Sequence, residues 1–576
     1  MGRTVAIGIQ DFAVIREKQY FYIDKSSLIQ EWWESGDHTT LITRPRRFGK
    51  TLNMSMLECF FSLRYEKRSD LFEDLAVWEE PEYRNLQGKW PVISLSFARV
   101  KENNFLSARK RITEIIRNLY NDHMFLRESN LLTVADQEYF DEVLSRECSS
   151  DTITSALYQL SYYLYRYYGK KVILLLDEYD TPMQEAWISG YWEEITGFMR
   201  SLFQASFKSN PYLERAMMTG ITRISKESMF SDLNHLKVIT TTSSAYASSF
   251  GFTEEEVKQA LKECELENRM EEVREWYDGF SFGTYQDIYN PWSIINYLST
   301  GELGAYWINT SSNSLVSRLI REAERATKEN LEELLAGRPI QCPIEEEIVY
   351  DQLTGSSDNI WSLLLAAGYL KVLSTESLKE ADQQGRRPFY RLALTNREVH
   401  RMFRVMVSGW FKPVSTHYND FIKALLLKDA DAMNEYMNQI SLQLFGSFDT
   451  GQQESDKSRP EKFYHGFVLG LMVDLQPEYA VSSNRESGFG RYDVLVEPND
   501  KGRDAFILEF KVYNPRKEKS LTETAQAALD QIRDRRYCTE LLKKGIKEEN
   551  IYSFGLAFKG KEVLILMEKN LREIRE

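Results

Sequence analysis

At 576 residues, 43% of them hydrophobic and 27% charged, the chain is composed like a globular protein and is too long for one hydrophobic core; a length prior gives roughly three or four domains and excludes disorder over most of the chain. The net charge of −14 counts against polyanion binding by the surface as a whole, although residues 501–576 are locally basic, with 17 Lys and Arg against 13 Asp and Glu. Five scattered cysteines, Cys59, Cys148, Cys264, Cys342 and Cys538, never spaced as CxxC, exclude a disulfide scaffold and a thiolate zinc site and point to a reducing, cytoplasmic setting.

The opening MGRTVAIGIQDFAV has no basic segment leading into a long apolar stretch, and no run approaches the roughly 18 apolar residues of a membrane span. Neither a secretory signal nor a membrane partner is therefore expected. Residues 1–38 read as a preamble. TTLIT (39–43) predicts a strand that runs into RPRRFGKT and then a helix, LNMSMLECFFSLR. PVISLSF (91–97), VILLLDE (172–178) and ERAMMTG (214–220) predict further strands. The continuous apolar run in VILLL suits a strand buried on both faces, as in a parallel sheet between helices, so residues 1–250 read as an α/β phosphate-loop domain.

From Thr253 the texture is helical, and residues 251–445 form a middle region. Within it, WSLLLAAGYL predicts a helix, the runs at 370–374 and FYRLAL a hairpin, and NREVHRMF another helix. That order is winged-helix-like, which also serves as a plain packing unit. GSFDTGQQESDKSRP (446–460) is polar and rich in Gly, Ser and Pro, as a linker is. Residues 461–576 then read as a compact α/β domain: a helix, the strands YAVSS, RYDVLVE and AFILEFKV, a helix, and a last strand pair.

Two stretches carry chemistry. A phosphate loop needs backbone N–H groups curled around phosphates, a lysine that reaches them and a hydroxyl for Mg²⁺. Gly49, Lys50 and Thr51 supply these after a strand, with Arg46, Arg47 and Phe48 in the loop, although Arg44 stands where the first glycine belongs. Arg44, Arg46 and Arg47 either contact phosphate or sit on the loop surface. Asp177, ending a buried strand, is placed to hold Mg²⁺ with Thr51, and Glu178 to orient the attacking water. In the C-terminal segment Glu509 and Lys511 are two apart in AFILEFKV, hence on one face of a strand, while Phe510 faces the other. Asp493 begins the preceding strand. Two carboxylates and an ammonium can then converge for metal-assisted phosphodiester cleavage, with Mg²⁺, or Mn²⁺ in its place, held by Asp493 and Glu509. A structural ion pair is the plain alternative.

The stretches IGIQDF, YFYIDKSSLI, LITRPRRFGKT, VILLLDEYDTP, TGITRIS, WYDGFSFG, YNPWSI and WINTSS resemble a mainly bacterial family of AAA-ATPase-like proteins fused to nucleases of the PD-(D/E)XK superfamily. FYHGFVLGL, SSNRESGFGRYD, ILEFKV and ALDQIRDRRY resemble its nuclease domain. The resemblance implies a bound ATP, Thr222 or Arg223 near its γ-phosphate, and Asp24 and Lys25 lining its pocket. It further implies Asp493, Glu509 and Lys511 as the core triad, Glu461 as an outer metal-water ligand, and Gln531 and Tyr537 as supports or DNA contacts. His465 reads as a packed helix residue rather than a base, and Arg491 either contacts phosphate or locks Asp493. The function so implied is ATP-controlled, Mg²⁺-dependent cleavage of nucleic acid, DNA ahead of RNA, in defence against foreign DNA. A homo-oligomer is an open expectation, since such ATPases often borrow an arginine from a neighbouring copy. The alternative is an ATP-driven switch whose C-terminal domain binds nucleic acid or a partner without cutting.

Overall fold

The computed structural model describes residues 3–208, 210–223, 235–307, 314–323, 325–345, 357–377, 381, 387–410, 418–444, 468, 472, 475, 478–483, 486–487, 490–491, 493–559 and 562–569. The linker expected at 446–460, Glu461 and His465 lie outside them, as does the Arg491 side chain. The chain packs as two units, 1–402 and 403–576.

The first unit is built on five parallel strands, β1 (Thr39–Thr43), β2 (Val92–Ser96), β3 (Val172–Asp177), β4 (Leu213–Gly220) and β5 (Leu236–Ile239), in the order β2-β3-β4-β1-β5. Every residue of β1 and β3 is buried. That is why the apolar run of β3 does not alternate: helices cover both faces, and a fully buried Leu, Ile or Val side chain is stabilised by about 1.5–3 kcal/mol. The register sets Thr43 beside Gly220 and Ser96 beside Asp177, so the chain leaves β1, β3 and β4 at one sheet edge. The helix Lys50–Phe61 buries Met54, Met56, Leu57, Phe60 and Phe61 against Ile42, Ile173 and Leu175. The preamble joins the same core through Phe12, Leu28, Ile29 and Trp32. Its Lys25 Nζ donates to both carboxylate oxygens of Glu256, at 2.7 and 2.6 Å, and to the Ser248 carbonyl. Asp24 accepts from Ser26 N and Ala76 N. Both side chains are thus spent on structural contacts rather than on lining a nucleotide pocket.

Beyond the parallel sheet, β6 (Phe252–Thr253), β7 (Phe280–Phe282) and β8 (Tyr285–Tyr289) form a small antiparallel sheet, followed by the helix Pro291–Thr300. The next module runs helix Arg325–Leu335, β9 (Ile340–Pro343), helix Ser357–Ala366, β10 (Leu370–Thr375) and β11 (Phe389–Leu394). The first strand pairs with the last, in the antiparallel order β10-β11-β9, which is winged-helix-like as the sequence predicts; β9 is the strand its pattern leaves unannounced.

The second unit holds a mixed sheet of β12 (Tyr479–Ser483), β15 (Val494–Pro498), β16 (Ala505–Val512), β17 (Ile551–Lys559) and β18 (Glu562–Lys569), paired in that order, beside a short hairpin of β13 (Glu486–Ser487) and β14 (Gly490–Arg491). Only β16 and β17 are parallel, and the helix Leu521–Asp534 lies between them in sequence. Alternation along β16 divides its side chains. Phe506, Leu508 and Phe510 face a core shared with the helices Tyr418–Leu427 and Ala430–Leu444, whereas Ala505 and Ile507 face Leu529 and Ile532 of the helix Leu521–Asp534. The two helices of 418–444, which the sequence assigns to the middle region, therefore complete the C-terminal sheet: Phe421, Leu425, Met433 and Met437 have their apolar partners there.

Gly555 sits beside Glu509 in the β16–β17 register, and a Cβ on it would lie 2.3 Å from the Ala525 carbonyl oxygen. The bare Cα lets the helix Leu521–Asp534 settle onto the sheet. Gly555→Ala is expected to destabilise this unit by about 1–3 kcal/mol, measured by denaturant unfolding, because backbone must move to admit the methyl group. Among the described residues no helix is long and apolar enough to cross a membrane.

Candidate functional site

The loop that leaves β1 reverses sharply into the helix Lys50–Phe61. Arg47 at φ 65° and Gly49 at φ 80° both take the left-handed region, the alternation that turns successive backbone N–H groups into a concave anion-binding nest. A non-glycine residue there is strained, and such strain concentrates at functional loops. Lys50 is buried and its Nζ donates to the loop's own carbonyls, Arg44 O and Pro45 O, each at 2.9 Å. Burial lowers its pKa against the pull of Glu178, Asp177 and Asp180.

The other loop residues divide differently from the sequence reading. Arg44 is neither a surface residue nor a phosphate ligand. It is fully buried, donates to Thr43 O, Thr240 O and Ala245 O at 3.0, 2.6 and 3.1 Å, and stacks its guanidinium on Phe282 at 4.3 Å. Burial pulls its pKa down to about 9. The arginine thus stitches β1 to the segment after β5, and this accounts for the missing first glycine. Arg44→Gly, which restores the ordinary phosphate-loop residue, is expected to lose about 3 kcal/mol or more in unfolding experiments, since each stranded buried carbonyl costs roughly 1–3 kcal/mol. Phe48 is also core, with its ring 4.8 Å from Phe280 and 5.6 Å from Phe282, so only its backbone is available to a nucleotide. Arg46 donates to Gln184 Oε1 at 3.4 Å, and Arg47 lies 4.4 Å over the Trp292 ring.

Opposite the loop, Thr51 Oγ1 donates to Asp177 Oδ2 at 2.8 Å, the hydroxyl–carboxylate pair that a phosphate-loop Mg²⁺ requires. Thr219 Oγ1 donates to Asp177 Oδ1 at 2.5 Å. Asp177 is buried, and burial, with the Glu178 charge, raises its pKa despite these two donors. Lys50 and Asp177 are therefore both pushed toward their neutral forms, and a phosphate beside one and a divalent cation beside the other would restore both charges. The donor set fits Mg²⁺. Glu178, at φ 56°, presents a carboxylate that accepts from Thr181 Oγ1 at 3.0 Å.

At the end of β4 it is Thr219, not Thr222 or Arg223, whose side chain meets Asp177. Thr222 spends its N and Oγ1 on Asp180 Oδ2, both at 2.9 Å. Arg223 lines a small cavity of mixed character with Thr43, Thr240, Glu345, Ile344 and Leu365. Asp180, fully buried, also accepts from Gln184 Nε2 at 2.9 Å and so connects this strand end to Arg46. Thr219 stands in the TGITRIS stretch that carries the family resemblance, whereas Asp180 and Gln184 are not singled out by the sequence. Only the repeated carboxylate in DEYD hinted at Asp180.

In the second unit, strand alternation brings Glu509 and Lys511 to the face covered by the helix Leu521–Asp534, and Gln531 of that helix lies between them. Gln531 Nε2 donates to Glu509 Oε1, and Lys511 Nζ donates to Gln531 Oε1 at 2.7 Å. Asp493, just before β15, donates its N to Glu509 Oε2 at 3.3 Å and accepts on Oδ2 from Phe510 N at 2.8 Å. Tyr537 is buried, its pKa raised by that burial, and its hydroxyl accepts from Gln531 Nε2 at 3.4 Å. Asp493, Glu509, Lys511, Gln531 and Tyr537 are thus linked through these contacts, while Glu461, expected at the same site, lies outside the described residues. Glu509 is 3% exposed, so its charge must be offset locally. Among the described residues no group of three or more His, Cys, Asp or Glu gathers as a metal cage. Two carboxylates nonetheless fit Mg²⁺, which takes one or two from protein and its remaining ligands from water and substrate phosphate.

Comparison with known proteins agrees with this division. Residues 6–230 match the family described as predicted AAA-ATPase, and residues 459–568 match the PD-(D/E)XK nuclease superfamily. An uncharacterised protein from the vnfD 5′ region of Azotobacter chroococcum is 27% identical over 96% of both chains. A signal transduction ATPase with numerous domains and a tetratricopeptide repeat sensor, from Pyrococcus horikoshii, aligns over 73% of this chain and 50% of that one; at 12% identity and a TM-score of 0.22 the likeness is too slight to bear on the fold.

Proposed function

From an AAA-ATPase-like domain at residues 6–230 and a PD-(D/E)XK-superfamily domain at residues 459–568, we propose that the chain is a cytoplasmic, ATP-controlled, metal-dependent nuclease. ATP binds at Arg46–Thr51, where Thr51 and Asp177 would hold its Mg²⁺ and Glu178 orients the attacking water. At the second site Asp493 and Glu509 would hold Mg²⁺ or Mn²⁺, which when bound would supply charge to the scissile phosphate and acidify a water. Lys511 offsets charge on that phosphate, and Gln531 fixes Lys511 against Glu509. DNA is the preferred substrate, and a role against foreign DNA fits the fusion. The observation that carries this reading is the gathering of Asp493, Glu509, Lys511 and Gln531 on one face of the sheet.

The bridging position of Gln531, in contact with both Glu509 and Lys511, also suits a second reading, in which the domain binds nucleic acid without cutting it. A panel of plasmid, linear duplex, single-stranded DNA and RNA, incubated with Mg²⁺, Mn²⁺ or EDTA, separates the two. Metal-dependent cutting, strongest on DNA, is expected. Retention of DNA on filters without cutting under any metal selects the second reading.

A further inference from the structure

The stretches WYDGFSFG and YNPWSI and the Trp307 of WINTSS supply no residue to the chemistry above, yet in the fold they meet at the phosphate loop. The Arg46 carbonyl accepts from Trp307 Nε1 at 2.9 Å and from Asn290 Nδ2 at 3.3 Å. Arg47 lies over Trp292, and Phe48 is held between Phe280 and Phe282. Gly368 lies so close to Pro45 that a Cβ would come within 2.7 Å of its ring. Each loop residue from Pro45 to Phe48 is thus gripped by residues C-terminal to the parallel sheet.

The grip has a geometric consequence. In a trans peptide the C=O and the following N–H point in opposite directions, so pinning Arg46 O from one side turns Arg47 N–H to the other, into the concave face of the loop. The positive φ of Arg47 needs such external support. The grip is itself braced. Asn290 Oδ1 caps the helix Pro291–Thr300 by accepting from Trp292 N and Ser293 N. The buried Glu398 carboxylate accepts from Trp307 N at 2.6 Å and from Ser293 Oγ at 2.8 Å, tying both gripping elements together.

We propose that Asn290, Trp292 and Trp307, braced by Glu398, are positioning residues of the nucleotide site. They hold the Arg46–Arg47 peptide in the curl that presents its N–H groups to the phosphates of ATP, so nucleotide affinity is set from outside the parallel-sheet domain. This rests on the reading of Lys50 and its loop as an ATP site.

The test compares MgATP binding by calorimetry and steady-state phosphate release in the full-length protein, Lys50→Ala, Asn290→Ser and Trp307→Phe. Serine keeps the helix-capping oxygen of Asn290 and removes only the donor. Phenylalanine keeps an aromatic ring against Phe280 and Tyr369 and removes the indole N–H. Asn290→Ser and Trp307→Phe are each expected to bind MgATP about tenfold more weakly, with KM raised by the same factor and kcat within about twofold, because Thr51, Asp177 and Glu178 are untouched. A merely structural role would lower the melting temperature and the active fraction while leaving KM unchanged, and that result overturns the proposal. So does wild-type affinity in both variants alongside lost binding in Lys50→Ala. Absence of nucleotide binding in the wild-type protein brings down the ATP reading and this inference with it.

Discussion

Lys50→Ala is expected to abolish detectable ATP hydrolysis and to weaken MgATP binding by at least about a hundredfold. The lysine's ammonium lies against the loop's own carbonyls, and hydrogen bonds between charged groups are worth about 1.5–3 kcal/mol each, so two lost phosphate contacts reach that factor. Folding should be largely spared. Burial already disfavours the charged ammonium, whose partners in the absence of nucleotide are two loop carbonyls, so its removal takes away little that stabilises the protein. Phosphate release, calorimetry and a thermal melt on one preparation check all three statements. Hydrolysis at the wild-type rate in this variant would show that phosphate is held elsewhere.

Glu509→Ala and Glu509→Gln are both expected to reduce nucleic-acid cleavage by at least about a thousandfold, with ATP hydrolysis unchanged. Metal-assisted stabilisation of a phosphoryl transition state is worth several kcal/mol, and about 4 kcal/mol corresponds to that factor. The two substitutions differ in their structural cost. Alanine strands Gln531 Nε2 and Asp493 N beside a void where Glu509 was buried, whereas glutamine keeps the volume and an acceptor oxygen and removes the charge that a cation needs. A folded, inactive Glu509→Gln therefore assigns the loss to chemistry. Gel-based cleavage with Mg²⁺ and with EDTA, beside a thermal melt, separates the cases, and an active Glu509→Gln would remove Glu509 from the metal site.

Much of this architecture is legible in the sequence, and for identifiable reasons. β3 is a continuous apolar run because both its faces are covered, and β1 and β3 each lead directly into functional residues, so strand and site announce one another. Glu509 and Lys511 are legible because a period of two places them on one face, away from Phe510. What stays hidden depends on partners distant in the chain. Nothing local in RPRRFGKT says that Arg44 will be buried against Thr240 and Ala245, nearly 200 residues away, while Arg46 and Arg47 stay at the loop. Asp180 reads as one more surface carboxylate until the end of β4 delivers Ile221 N and Thr222 N to it. The helices at 418–444 have ordinary amphipathic patterns, and only the apolar face of β16 and its neighbours decides which core they enter. Asn290 and Trp307 look like packing residues in sequence because their role is played through one backbone carbonyl, which no side-chain pattern records.

The control of cleavage by nucleotide is tested most directly by one set of reactions: DNA with Mg²⁺, with and without ATP, incubated with the wild-type protein, Lys50→Ala and Glu509→Gln. The account predicts that wild-type cutting changes in rate when ATP is added, that Lys50→Ala cuts at a rate indifferent to ATP, and that Glu509→Gln does not cut. Equal cutting by all three proteins, or a wild-type rate that ATP leaves unmoved, would contradict it.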